Sequence, residues 1–192
     1  MKRLVTMIGI LALAAPLALA QSSTWKSDPA HSGVEFGIRH MGLSTVHGRF
    51  GKVDGTIVYN EGDVTKSTVT ATIDVAGLST GVEARDNHLK TDAFFDVAKF
   101  ATATFTSTSV AKSASGLTVT GNLTLHGVTK PVTLDVEGPV TPIESPMDHK
   151  LHSGFSATAT ISRSAFGIGA SFPAAILGDD VKLTIELEVV KQ

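Results

Sequence analysis

The chain has 192 residues, 42% hydrophobic and 18% charged, a globular balance on a length that suits one domain. Sixteen Lys and Arg against eighteen Asp and Glu leave a net charge of −2, without the basic excess that a phosphate backbone demands, so nucleic acid is not an expected partner. There is no cysteine, which excludes disulfides, thiolate metal sites, a cysteine nucleophile and a Cys-linked lipid anchor.

Residues 1–20 read as a cleaved secretion signal. Lys2 and Arg3 precede an apolar run over 4–15, and Ala18-Leu19-Ala20 has the small-x-small form that a signal peptidase accepts. The run is too short to span a bilayer. The expectation is a single exported domain over 21–192, and the bacterial periplasm fits a cysteine-free chain of this kind.

From Gly33 onward, apolar and polar residues alternate with period two, as in half-buried strands. Eight runs carry the pattern. The first holds Val34, Phe36 and Ile38. The second starts with Val46, Gly48 and Phe50 and continues on the opposite parity with Val53, Gly55, Ile57 and Tyr59, a phase change that predicts a bulge near Gly51. The third is Val69, Ala71, Ile73 and Val75. One short helix, roughly 82–90, follows as an insertion. The fourth run has Ala103 and Phe105, the fifth Leu117 to Leu125, and the sixth Val132, Leu134 and Val136. Phe155, Ala157, Ala159 and Ile161 make the seventh, and Val181 to Val189 the eighth.

Eight mostly consecutive antiparallel strands with one polar face predict an all-β fold, an eight-stranded up-and-down barrel with one helical insertion between strands three and four; closure removes exposed edges. A two-sheet sandwich or a filled barrel stays open on pattern alone. Ala71, Ala103, Gly121, Ala157 and Ala159 on the apolar face favour an underfilled axis able to hold one ligand. His40 and Arg163 share the inward parity at the last position of their strands. In this topology they meet the helical insertion, with Arg85, Asp86 and His88, and the long loop after Ser164 at one rim, together with Phe94, Phe95, Phe166 and Phe172. That gathering is the anatomy of a ligand mouth. The alternative is that His40 and Arg163 pair with carboxylates at a barrel end.

Catalytic signals are weak. Gly77-Leu78-Ser79-Thr80-Gly81 has the form of a nucleophile elbow, but that elbow belongs to parallel sheets alternating with helices. Asp86 and His88 are the one suggestive acid and base pair at the rim. His149 and His152 lie beside the loop of Pro139, Pro142 and Pro146 without a third ligand at useful spacing, so no metal is expected and both read as solvated loop histidines. A membrane-spanning barrel would need aromatic girdles, and Trp25 and Tyr59 are single residues of their kinds.

The opening Trp25-x-x-Asp28-x-x-His31-Ser32-x-Val34-x-Phe36-x-Ile38-x-His40 with Gly48-x-Phe50 resembles the YceI-like family of periplasmic polyisoprenoid-binding proteins. Later motifs follow in order: Arg85-Asp86-x-His88-Leu89 with Phe94-Phe95-Asp96, Phe105-x-Ser107-Thr108, the stretch from Gly121 through Gly127 to Val132, and Arg163-x-x-Phe166-Gly167. Ala165 and Lys99-Phe100-Ala101 depart from the family pattern. The resemblance implies a lipocalin-like barrel that holds an isoprenoid or other long-chain lipid, without a cofactor and without catalysis. On that reading the tail site is Phe36, Ile38, Ile73, Phe105, Leu123, Leu134, Phe155, Ala157, Ile161 and Leu183. His40, Arg85, His88 and Arg163 meet the head group, with Phe94, Phe95 and Phe166 around the opening. Action through protein contacts in stress response or respiratory assembly, isoprenoid modification, and association of two barrels remain open alternatives.

Overall fold

The computed structural model describes residues 22–114 and 116–192. The expected secretion signal therefore lies outside the described residues. The elements in chain order are β1 (Ser22–Ser27), β2 (Gly33–His40), β3 (Ser44–Arg49), β4 (Val53–Asn60), β5 (Thr68–Asp74), α1 (Glu83–Leu89), β6 (Thr102–Ser113), β7 (Gly116–Leu125), β8 (Val128–Glu137), β9 (Ile143–Glu144), β10 (Leu151–Ser162) and β11 (Leu177–Lys191). All pairings are antiparallel, and eight strands close in the order β11-β1-β4-β5-β6-β7-β8-β10, with β10 returning to β11. An eight-stranded antiparallel barrel with one helical insertion is the expected fold, but β1 takes a place in the closed wall that the sequence assigns to β2, which pairs with β11 and β3 outside the closed eight.

Several features depart from the expected strands. β1 and the two-residue β9 have no counterpart among the eight runs. The inward positions of β1 are Ser23 and Trp25; the serine hides the alternation, and it is buried with its hydroxyl accepting a 2.8 Å bond from the indole N–H of Trp25. The second run is two strands. β3 ends at Arg49, the chain bends through Phe50 and Gly51, and β4 resumes at Val53. Gly51 N–H is bonded to Asp74 O, and a Cβ at Gly51 would stand 2.4 Å from the Asp74 carboxylate.

This bend divides the wall into two tiers. The 15-residue β11 pairs along its first two thirds with β2, from Leu177 to Glu186, and at its end with β1, from Val189 to Lys191. The upper tier is completed by the β2–β3 hairpin and the lower by β1 and β4. β6 also runs longer than expected. A register shift between Ser107 and Ser109 changes parity, so Val110 is buried where the original phase would expose it.

Glycine plays a different part from the one expected at Gly121. Its absent side chain does not widen the bore, because the Phe105 ring lies over it, 2.4 Å from where a Cβ would stand. Gly48 is covered by Phe36 in the same way. Each glycine is the bed for an aromatic ring on the neighbouring strand.

Candidate functional site

The barrel interior contains a cavity of about 420 Å³, within the usual range for a small-molecule site. Phe36, Ile38, Ile73, Phe105, Leu123, Leu134, Ile161 and Leu183 line it, as the parity argument requires, and so do the small residues Ala71 and Ala103. Phe155 and Ala157 do not. Phe155 packs beneath, against the separate cluster of Trp25, Ile57 and Val189 that floors the barrel, and Ala157 is enclosed in the core between its partners Val136 and Ile185. Inward parity puts a residue on the axis side of a strand, but it does not say at what height the open space stops.

The polar residues on the cavity wall are His40, Thr80, Arg85, His88 and Arg163. They lie at the β2, β10 and α1 end, so the bore is hydrocarbon below and polar only at its mouth. Two long connections cover that mouth: the insertion that carries α1, and the loop between β10 and β11. They meet through rings. Phe94 stacks on Phe172 at 5.0 Å, and His88 stands edge-on to both, at 5.0 and 6.4 Å. Phe95 belongs instead to the wall, edge-on to Phe50 at 5.9 Å, while Phe50 leans on Phe36 at 5.1 Å. Phe166 is not at the opening. It is 2% exposed beneath the loop, and its carbonyl accepts a 3.0 Å bond from His126 Nδ1.

Arg163 organises this loop. Its five N–H donors all go to backbone carbonyls: Nε to Gly178, Nη1 to Ile168 and Gly169, and Nη2 to Phe172 and Leu177, at 2.6 to 3.0 Å. The side chain is buried, and the carboxylate expected beside it under the pairing alternative does not make a direct ion pair. Asp179 instead caps the start of the loop, accepting from Ser162 Oγ and from the backbone N–H of Ser164, bonds that lower its pKa below the usual carboxylate value. Arg163 therefore reaches the cavity wall with its hydrogen-bonding capacity already used.

Arg85 is held more loosely, with Nε on Thr80 Oγ1 at 2.7 Å and Nη2 on Thr80 O at 3.0 Å. His40 and His88 are exposed. The Asp86 carboxylate turns away from His88 to accept from the Thr80 backbone and hydroxyl and from Ser79 Oγ, and these bonds lower its pKa, the Thr80 side chain first. Ser79 thus spends its hydroxyl on Asp86, and its backbone pairs with Arg49. The elbow-like pentapeptide is a connection that anchors α1 to β3.

His152 is a correction to the loop assignment. It lies on β10 with 14% of its side chain exposed, Nδ1 2.7 Å from Glu188 and Nε2 3.2 Å from Asp148, contacts that raise its pKa, Glu188 foremost. His149 is exposed and faces Glu144 at 3.7 Å. Phe172 lines the cavity from the mouth, where the sequence places it, and further lining residues include Phe50, Leu89, Ile168 and Leu177. Phe50 shares the parity of Val46 and could have been included; Ile168 and Leu177 are held by bonds from Arg163 to their carbonyls, a long-range tie with no local signal. Among the described residues, no helix is long and apolar enough to cross a membrane.

The YceI-like domain matches residues 25–189. Protein YceI of Salmonella arizonae is 40% identical over 162 residues, covering 84% of this chain and 83% of the relative. The crystal structure of a Campylobacter jejuni YCEI protein superposes with a TM-score of 0.70 at 33% identity, over 80% of this chain and 90% of that one. A polyisoprenoid binding domain from Saccharophagus degradans shares the fold at a TM-score of 0.62, with 17% identity over 90% of this chain and all of that domain. By sequence along nearly its whole described length, and by a closed barrel of the same architecture, the chain belongs to the YceI-like family.

Proposed function

We propose that this protein is a periplasmic carrier for a long-chain amphiphile, a polyisoprenoid such as a polyprenyl quinone or polyprenyl phosphate, after removal of residues 1–20 leaves one domain over 21–192. The observation that carries the reading is the cavity, a hydrocarbon bore whose polar wall residues, among the described residues, stand only at its mouth. Removing a CH₂ from water is worth about 0.8 kcal/mol, so a chain of twenty carbons contributes on the order of ten kcal/mol before ordering costs are subtracted. Tight binding then needs no bond-making residue. The description of the Saccharophagus domain as polyisoprenoid binding supports the same ligand class.

In this reading the tail lies along Phe36, Ile73, Phe105, Leu123 and Leu183, and the head group meets His40, Arg85 and His88. Arg163 shapes the opening rather than gripping the head. Met41, Leu43, Val82 and Ile176 are exposed on the segments that border the mouth, where Met41 N–H is bonded to Ile176 O, and they give a tail an apolar rim to cross. On the same reading the protein binds without catalysis, and the commitment of Asp86 to Thr80 and Ser79 rather than to His88 supports it.

The test is mass spectrometry of organic extracts from protein purified without detergent from its native compartment, with Ala103→Trp as the filled-bore control and Ala71→Trp where that variant does not fold. A stoichiometric amphiphile in the wild type that is lost from the folded control is expected. An empty wild-type protein, or equal lipid in both, overturns the assignment.

A further inference from the structure

At the end of the barrel away from the mouth, the chain between β1 and β2 brings Asp28 and His31 against Glu188 of β11. His31 Nδ1 is 2.9 Å from Asp28 Oδ2 and 3.9 Å from Glu188 Oε2, and one donor atom from each of the three lies within 4.8 Å of the others. We propose that Asp28, His31 and Glu188 form a binding site for a divalent first-row transition-metal cation, with zinc the best fit.

Spacing is the first argument. Zinc bonds to imidazole and carboxylate of about 2.0–2.2 Å place neighbouring tetrahedral donors roughly 3.3 Å apart. The two distances from His31 fall on either side of that value, so small side-chain shifts bring the three donors onto one ion, with water completing its shell. One imidazole and two carboxylates suit Zn²⁺ or Mn²⁺; Ca²⁺ and Mg²⁺ favour all-oxygen shells of six or more ligands.

The supports around the three donors are the second argument. Glu188 divides its carboxylate: Oε2 turns toward His31, while Oε1 is held at 2.7 Å by His152 Nδ1, and Asp148 holds the far nitrogen of His152 at 3.2 Å. This chain of hydrogen bonds fixes one ligand from behind, as outer partners do in metal centres. Asp28 is fixed likewise, with Oδ1 accepting from Ala30 N–H at 2.8 Å, while Oδ2 shares a 2.9 Å hydrogen bond with His31 Nδ1 that a bound ion would replace. The backbones are pinned too. Asp28 N–H is bonded to Glu188 O at 2.8 Å, and Ser32 Oγ bonds both the carbonyl and the N–H of Glu188 at 3.1 and 3.2 Å. The donors are therefore presented by a frame that exists without the ion. His31 is the most exposed of them, with 64% of its side chain open to solvent, which gives the ion access.

Tag-free mature protein, stripped with a chelator and titrated with Zn²⁺ in a calorimeter, tests the site; Co²⁺ added separately reports tetrahedral geometry by its visible absorption. One Zn²⁺ per chain is expected, weakened at least tenfold in His31→Ala and in Glu188→Gln and unchanged in His149→Ala, a nearby exposed histidine. Circular dichroism and unaltered lipid content, where the mouth is untouched, verify that each variant folds. No binding by wild type, binding that survives both ligand substitutions, or binding lost in His149→Ala overturns the proposal.

Discussion

The floor and the mouth of this barrel are closed by different physics. At the floor, Trp25, Ile57 and Val189 make a small apolar cluster of their own, joined by Phe155 and Leu187, and the Lys191 ammonium sits 5.8 Å from the Trp25 ring. At the mouth, two connections are anchored to the barrel by polar bonds to backbone, through Arg163, Asp179 and Asp86, and touch each other through the faces and edges of Phe94, Phe172 and His88. The lesson is a division of labour. Packing at the floor holds strands together and moves only when the fold is lost, whereas ring contacts at the mouth can part while every ladder hydrogen bond stays intact.

Substitutions at the two ends should therefore separate stability from ligand exchange. Trp25→Ala is expected to have the largest effect, about 3–5 kcal/mol in urea unfolding, with unaltered lipid release from the molecules that remain folded. Arg163→Met strands five carbonyls, three in the loop and two at the start of β11, and is expected to cost roughly 3 kcal/mol; hydrogen exchange should show the loss of protection concentrated over 164–178. Equal loss of protection around β1 would break the comparison. Between the ends, Gly121→Ala puts a Cβ against the Phe105 ring and 2.6 Å from Thr106 O, and about 1–3 kcal/mol of destabilisation should appear in thermal melts. Phe172→Ala removes a stacked pair worth about 0.5–1.5 kcal/mol, so lipid release into acceptor vesicles should quicken by up to roughly tenfold with little change in unfolding.

The smallest expected effect depends on pH. Asp86 and Asp179 have folded pKa values below the ordinary carboxylate value, Asp86 by its bond from Thr80 and Asp179 by its bond from Ser162. Their contribution is fully present above the unfolded pKa near 4 and is lost as pH falls through the lowered folded values. Lipid release should quicken on acidification below about pH 4, and Asp179→Asn should flatten that profile. A profile unchanged by the substitution would remove Asp179 from the anchoring of the mouth.

Period-two alternation made the strands from β2 onward legible, apart from the two-residue β9, with the bend at Gly51, because one face meets a continuous apolar interior. β1 was opaque because a hydrogen-bonded serine takes an inward position. Most of the cavity wall followed from parity, while its floor did not: Phe155 and Ala157 point inward at a level where the barrel is already filled. The mouth was legible as a gathering of residues and illegible as bonds. Nothing local tells that Arg163 reaches five carbonyls, or that Glu188 stands beside His31.

The bend after Arg49 leaves β3 as the outer strand of the upper tier, and its only backbone bridge on the side away from β2, among the described residues, is to Ser79 in the connection before α1. The wall thus has a seam beside the opening, sewn by one pair of stitches instead of a full ladder. A rim that can gape along a seam changes its girth without altering strand number or tilt below. Under the proposed carrier function, head groups of different bulk can then share one bore, and diversity among relatives is expected to collect in the segments that border the seam.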